Sequence, residues 1–217
     1  MSPAKEVGGD FYDFFLIDDD HLGIVMADVS GKGVPAALFM MATKIVIQNY
    51  ALMNKSPKTA LETANDHICQ NNREEMFVTV WLGILEISTG ILKATNAGHE
   101  YPILKEPGGK YTLYKDKHGF VVGGMTGMEY PEYEIQLKKG SVLFLYTDGV
   151  VEATNADNEL FGMDRLLFSL NESENETPRN TLEHIGRSVS AFVKEAPRFD
   201  DLTMLCIRYN GIDNGCQ

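Results

Sequence analysis

The sequence predicts an α+β fold in which two packed antiparallel sheets carry helices on their outer faces. Three observations lead there. The β-rich segments come in neighbouring pairs joined by short glycine-bearing turns, which reads as hairpins and not as alternating βαβ units. The helical patterns arrive as two pairs, one early and one late. Several strand-like runs are apolar on both faces and need cover on both, which stacked sheets with outer helices supply.

Taken in order, residues 22–29 are a near-continuous apolar run and read as a buried strand. Gly31-Lys32-Gly33 follows, and Pro35 suits the first turn of a helix. Val34, Leu38, Met41 and Ile45 recur at helical spacing, so a helix runs to about Leu52. A second helix covers 57–71. Segments 76–87 and 91–96 flank Ser88-Thr89-Gly90 as a first hairpin. Segments 101–105 and 110–114 flank Pro107-Gly108-Gly109 as a second. Segments 133–137 and 141–147 flank Lys138-Lys139-Gly140 as a third. Helices at 162–170 and 179–194 follow, separated by a polar surface loop at 171–180, and 202–209 is the last strand.

The chain has 217 residues, 44% of them apolar and 23% charged, which is globular composition for one domain with a sizeable core. Nineteen basic against 31 acidic residues leave a net charge of −12. Such a surface repels phosphate backbones and anionic lipid, so nucleic-acid binding and docking on an anionic membrane surface are excluded as expectations. Cys69, Cys206 and Cys216 are scattered and odd in number, with neither disulfide nor zinc spacing. No signal pattern opens the chain, and the longest apolar runs, 36–42 and 142–146, are too short to span a bilayer. A reduced, cytoplasmic protein without membrane insertion is the expectation.

Four aspartates stand where apolar strands begin or end. Asp10 follows Val7-Gly8-Gly9, Asp28 closes 22–29, Asp148 closes 142–147, and Asp200 with Asp201 opens the last strand. A partly buried carboxylate needs water, a cationic partner or a metal. Only Lys32 and Arg198 lie near in sequence. Converging carboxylates without arginines favour Mg²⁺ or Mn²⁺. Taken singly, Asp148-Gly149 reads first as a turn and Asp200-Asp201 as a solvated loop, whereas Asp10 and Asp28, set against glycines and long apolar runs, are less easily dismissed.

Together the segments resemble the metal-dependent PPM (PP2C-type) protein phosphatases, in their bacterial SpoIIE/RsbU-like branch. The resemblance rests on residues 3–13 (PAKEVGGDFYD), 27–37 (ADVSGKGVPAA), 76–79 (MFVT), 96–99 (NAGH), 146–153 (YTDGVVEA), Phe161-Gly162 and 199–203 (FDDLT), in the family's order over nearly the whole chain. It implies a four-layer αββα sandwich and a site for two ions, Mn²⁺ or Mg²⁺. Carried over by position, Asp28 bridges both ions with the Val29 carbonyl as a further ligand. Asp10 serves one ion, and Asp148 and Asp200 the other. Asp201 lies behind them at most. Lys5 stands where relatives carry a phosphate-contacting base. The implied activity is hydrolysis of phosphoserine or phosphothreonine on a protein, of which a phosphorylated STAS-domain anti-sigma-factor antagonist is the implied example. A catalytically silent PPM-fold binding module and a di-metal hydrolase of small phosphoesters are the competing readings.

Some positions depart from the pattern. Ser30 stands where eukaryotic relatives place a histidine proposed as general acid, so that proton donor is unassigned. His99 replaces the aspartate that can hold a third metal, and is expected to be a hydrogen-bonded structural residue. Lys32 is expected to belong to the strand-to-helix turn that its glycines permit. His21, His67, His118 and His184 have no motif around them and are expected to be surface or satisfied residues. Residues 1–210 are expected to form the catalytic domain, excised from a longer protein with an upstream sensor or receiver module, and 211–217 a disordered tail. In this branch a helix pair beside the site links dimerisation to metal binding. Residues 34–72 match that pair, which brings in a homodimer as a partner.

Overall fold

The computed structural model describes residue 1 and residues 7–72, 74–172, 177–196 and 200–212. Arg198 and Cys216 lie outside these, as does most of the expected tail. Two antiparallel sheets form the centre. The first contains β1 (Phe11–Asp18), β2 (His21–Val29), β3 (Val78–Glu86), β4 (Ile91–Ala97) and β7 (Glu132–Gln136), in the spatial order β1-β2-β3-β4-β7. The second contains β5 (Ile103–Lys105), β6 (Tyr111–Leu113), β8 (Val142–Tyr146) and β9 (Met204–Arg208), in the order β6-β5-β8-β9. Helices α1 (Val34–Met53) and α2 (Pro57–Asn71) cover the first sheet, and α4 (Gly162–Glu172) and α5 (Pro178–Val193) the second. The expected αββα sandwich is the observed one.

Its two-faced apolar strands explain the layering. Side chains alternate across a strand. In β2, Val25, Ala27 and Val29 meet the α1/α2 layer, while Ile24 and Met26 meet the other sheet. In β8, Phe144 and Tyr146 meet the α4/α5 layer, while Leu143 and Leu145 point between the sheets with Trp81 and Leu92. Ser56 and Thr177 cap α2 and α5, each accepting from a backbone N–H three residues on, with proline next in line.

Four differences from the sequence reading emerge. Residues 11–18 form a strand, β1, that was not expected; it returns into β2 through Asp19-Asp20. The third hairpin does not exist. β7 pairs with β4 at the edge of the first sheet, whereas β8 lies between β5 and β9 in the second. Lys138-Lys139-Gly140 therefore crosses between sheets. A strand buried on both faces, like β8, needs a central place, and the alternating β7 suits an edge. A short helix, α3 (Asp148–Val151), follows β8 directly.

The fourth difference concerns α1. Val34, Leu38, Met41 and Ile45 mark the helix correctly but are exposed, as is Leu52. Its inner face is Ala36, Thr43, Ile47 and Ala51. Small residues let the helix sit close to the sheet, and the large apolar ones are left outside. This helix is also long and apolar enough to cross a membrane by length and composition, contrary to the reading from short apolar runs. Cys69 and Cys206 are unpaired thiols.

Candidate active site

Both sheets present carboxylates at one rim of the sandwich. Asp28, next to last in β2, lies on the same face of the strand as Ile24 and Met26, where the layer between the sheets ends. The register Phe11↔Ala27 brings Asp10 alongside it. In the second sheet Tyr146 pairs with Met204, and Thr147 donates its backbone N–H to the Thr203 carbonyl (3.1 Å). Asp148 at the start of α3 and Asp200 ahead of β9 therefore share that end.

Two contacts join the halves. Asp201 Oδ2 accepts from the backbone N–H of Gly9 (2.8 Å) and of Asp10 (3.4 Å). Thr147 Oγ1 donates to Asp10 Oδ2 (2.7 Å). Asp10 and Asp201 are both buried. The packing explains two glycines. A Cβ on Gly8 would strike the Asp201 carboxylate, and one on Gly149 would strike the Asp201 carbonyl. The Val29 carbonyl lies against Gly9.

The electrostatics show the carboxylates acting on one another. Burial pushes Asp28 up to about 9, with Asp10, Asp148 and Asp200 adding repulsion. Asp148 is pushed up to about 6, first by burial and then by Glu152, Asp200, Asp10 and Glu100. Asp10 is raised by burial, against hydrogen bonds to Asp28 and Thr147 that lower it. On Asp200, Lys32 Nζ sits 2.9 Å from Oδ2. Among the described residues, no three His, Cys, Asp or Glu side chains are gathered closely enough to hold an ion as they stand. Asp10 and Asp28 share a hydrogen bond, while Asp148 and Asp200 act on Asp28 through charge alone. Their oxygen-only donors are of the type that hard divalent cations take, and bound positive charge would offset the burial and repulsion that raise Asp28 and Asp148.

The structure thus brings together Asp10, Asp28, Val29, Asp148 and Asp200. Lys5 lies outside the described residues. Lys32, expected to serve only its turn, places its ammonium on Asp200, while Gly31 and Gly33 do take positive φ. Ser30 is occupied structurally: its Oγ accepts from the Phe77 backbone N–H (2.9 Å). His99 is buried with Nδ1 2.9 Å from Thr79 Oγ1, a hydrogen-bonded residue as expected. Its ring is pushed down to about 3, chiefly by burial. Among the other histidines, His21, His67 and His118 have partners, and His184 Nε2 is buried without one. Sequence reasoning gave Thr147 no role. Its place next to Asp148 was the only available signal, because its partner Asp10 lies 137 residues away.

A PP2C-type phosphatase domain is what this fold and rim define. The pattern of the family described as Stage II sporulation protein E (SpoIIE) matches residues 18–210, and the chain belongs to that family. Asp28, Val29, Asp148 and Asp200 lie inside the matched stretch and Asp10 ahead of it. Protein IcfG of Synechocystis sp. is 32% identical over 238 residues, covering 97% of this chain and 37% of IcfG. Phosphoserine phosphatase RsbU of Bacillus subtilis is 32% identical over 156 residues, covering 69% of this chain and 44% of RsbU. The chain thus spans less than half the length of either relative. Among solved structures, the SiaA-PP2C domain of Pseudomonas aeruginosa superposes with a TM-score of 0.84 at 22% identity, covering 96% of this chain and 83% of that one. RsbX in complex with magnesium superposes with a TM-score of 0.69 at 21% identity, covering 95% and 90%.

Proposed function

We propose that residues 1–210 form a divalent-metal-dependent protein serine/threonine phosphatase domain. The observation that carries this reading is the convergence of Asp10, Asp28, Asp148 and Asp200 from both sheets, with burial and then mutual repulsion holding Asp28 up near 9. Asp28 is assigned to both of two ions with the Val29 carbonyl as a further ligand, Asp10 to one, and Asp148 and Asp200 to the other. Mn²⁺ or Mg²⁺ suits these oxygen donors, and the magnesium of RsbX supports the choice. Such ions supply an activated water for in-line attack on phosphorus and charge to steady the phosphoryl oxygens.

The chain's own residues do the positioning. Thr147 and Asp201 aim Asp10. Lys32 holds Asp200 and lies close enough to the rim to meet phosphate. Lys5 is assigned a phosphate contact. Ser30 is engaged with Phe77, so no side chain is assigned to protonate the leaving serine oxygen.

The phosphoserine phosphatase RsbU supports a phosphorylated regulatory protein as substrate, a STAS-domain anti-sigma antagonist being the proposed case, in the cytoplasm and under an upstream sensor or receiver domain. The exposed apolar side of α1 supports a homodimer.

The test is phosphate release from a phosphoserine protein with Mn²⁺ and with EDTA, for wild type and Asp28→Asn. Mn²⁺-dependent release that vanishes in the variant is the expected result. Turnover of small phosphoesters alone would make the domain a small-molecule hydrolase. Neither turnover nor Mn²⁺ binding would make it a silent binding module.

A further inference from the structure

The two halves of the rim come from different sheets, so something must set their spacing. The loop after β4 is built to do so. The backbone N–H of His99 donates to Asn96 Oδ1 (2.7 Å), and Asn96 Nδ2 donates back to the His99 carbonyl (3.1 Å). This double clamp fixes the His99 backbone, and Asn96 Nδ2 is itself tied to the Asp116 carboxylate (3.2 Å). From the clamp the ring reaches both sheets. Nδ1 meets Thr79 Oγ1 at 2.9 Å, and Thr79 is the β3 residue directly opposite Asp28. The same hydroxyl lies 3.4 Å from the Asp28 carbonyl. On its other side the ring faces the backbone carbonyl of Tyr146, two residues before Asp148. The next residue, Glu100, reinforces that side by accepting from the Tyr146 hydroxyl (3.3 Å).

One feature of the ring is hard to explain by stability alone. His99 is 3% exposed, and its Nε2, on the side of the Tyr146 carbonyl, makes no hydrogen bond of full geometry. A core position selected only for packing has no use for such an atom.

We propose that His99 is a positioning residue: an imidazole wedged between the strand end that carries Asp28 and the strand end that carries Asp148, fixing the distance between the two carboxylate pairs. This inference rests on the metal-phosphatase reading and adds to it. His99 touches neither substrate nor ion. It acts through Thr79 and the Tyr146 backbone, as groups behind metal ligands do.

Leucine keeps most of the ring's volume and removes both ring nitrogens, so His99→Leu separates packing from positioning. Thr79→Val cuts the same path with a smaller change. Mn²⁺ binding by calorimetry, thermal unfolding without metal, and phosphate release are measured on each. Both variants are expected to weaken Mn²⁺ binding about tenfold, with little change in metal-free Tm. The double variant should lose little more than either single one, because the two residues share a path. The opposite pattern, a lower Tm with unchanged Mn²⁺ affinity, would make His99 a packing residue and overturn the proposal. Additive losses in the double variant would break the Thr79 link on which it depends. Failure of the wild-type domain to bind Mn²⁺ would remove the metal-phosphatase reading and the proposal with it. Normal binding by wild type and both variants removes the proposal alone.

Discussion

Asp10 and Asp28 face Asp148 and Asp200 across one rim, yet the two pairs are held differently. The first pair sits on or against strands, with Asp10 buried and gripped by Thr147 and Asp201 from the opposite sheet. The second pair sits at a helix start and in a loop, and Asp200 is a third exposed with a lysine ammonium on it. One half is the more buried and is held by hydrogen bonds from the opposite sheet; the other is more open to solvent. A site of the proposed kind, which would both hold ions and admit a bulky phosphoprotein, gains from that division, since geometry is set on one side and access is left on the other.

The largest effect should come from Asp28→Asn. It removes a carboxyl that must take up a proton to be buried beside Asp10, so phosphate release should fall to background while the metal-free protein becomes more stable by a few degrees, at about 2–4 °C per kcal/mol. Asp200→Asn should abolish activity with a smaller gain in Tm. Equal gains would mean the two halves carry the same strain, and the comparison would break.

Next comes Asp201→Ala. It strips the Gly9 and Asp10 N–H groups of a buried acceptor, at about 1–3 kcal/mol for a donor left unsatisfied. A fall in Tm of several degrees, with weaker Mn²⁺ binding, is expected from thermal unfolding and calorimetry. Lys32→Met should do much less to stability, because a half-exposed ion pair contributes at most about 1 kcal/mol. Its Tm should stay within error while Mn²⁺ binding tightens, as the competing ammonium is gone. A Tm loss as large as that of Asp201→Ala would show that the second half is as preorganised as the first.

The smallest effect is a pH slope from the strut between the halves. The His99 ring is pushed down to about 3 by burial, with the Tyr146 carbonyl opposing and His118 adding to the shift, against an ordinary value of 6.5. Between those values the unfolded chain takes up a proton that the folded one refuses. The stability tied to neutral His99 is therefore complete above about pH 6.5 and is lost as pH falls toward 3. Urea unfolding at pH 7.5 and pH 5 should show wild type losing more stability than His99→Leu. Parallel losses would mean the ring is not held neutral.

The sandwich was legible because its signals are local. Two-faced apolar runs, glycine turns and caps read off neighbouring residues, and they placed α2 at its observed bounds. The elements that misled share one feature, a dependence on distant partners. Periodicity in 34–52 identified a helix, but which side it buries depends on how closely the sheet approaches, and Ala36 and Ala51 allow a close approach. The run 11–18 is a strand because β2 pairs with it. The segments around Lys138-Lys139-Gly140 have hairpin chemistry, but each found a better partner elsewhere, β4 for one and β5 with β9 for the other.

The site divides in the same way. Residue type and position along the chain marked Asp10, Asp28, Asp148 and Asp200 as candidates, since a carboxylate at the end of a buried strand is costly unless something uses it, and the motif order resembling the phosphatase family made them a site. That the four share one rim, that Thr147 and Asp201 grip Asp10, that Lys32 sits on Asp200, and that His99 stands between the sheets were decided only by the tertiary structure. Each of these depends on contacts between residues far apart in the chain, up to 192 positions for Asp201 and Gly9. Local chemistry along a chain names the groups; the distance between groups on separate strands is set by how the sheets stack.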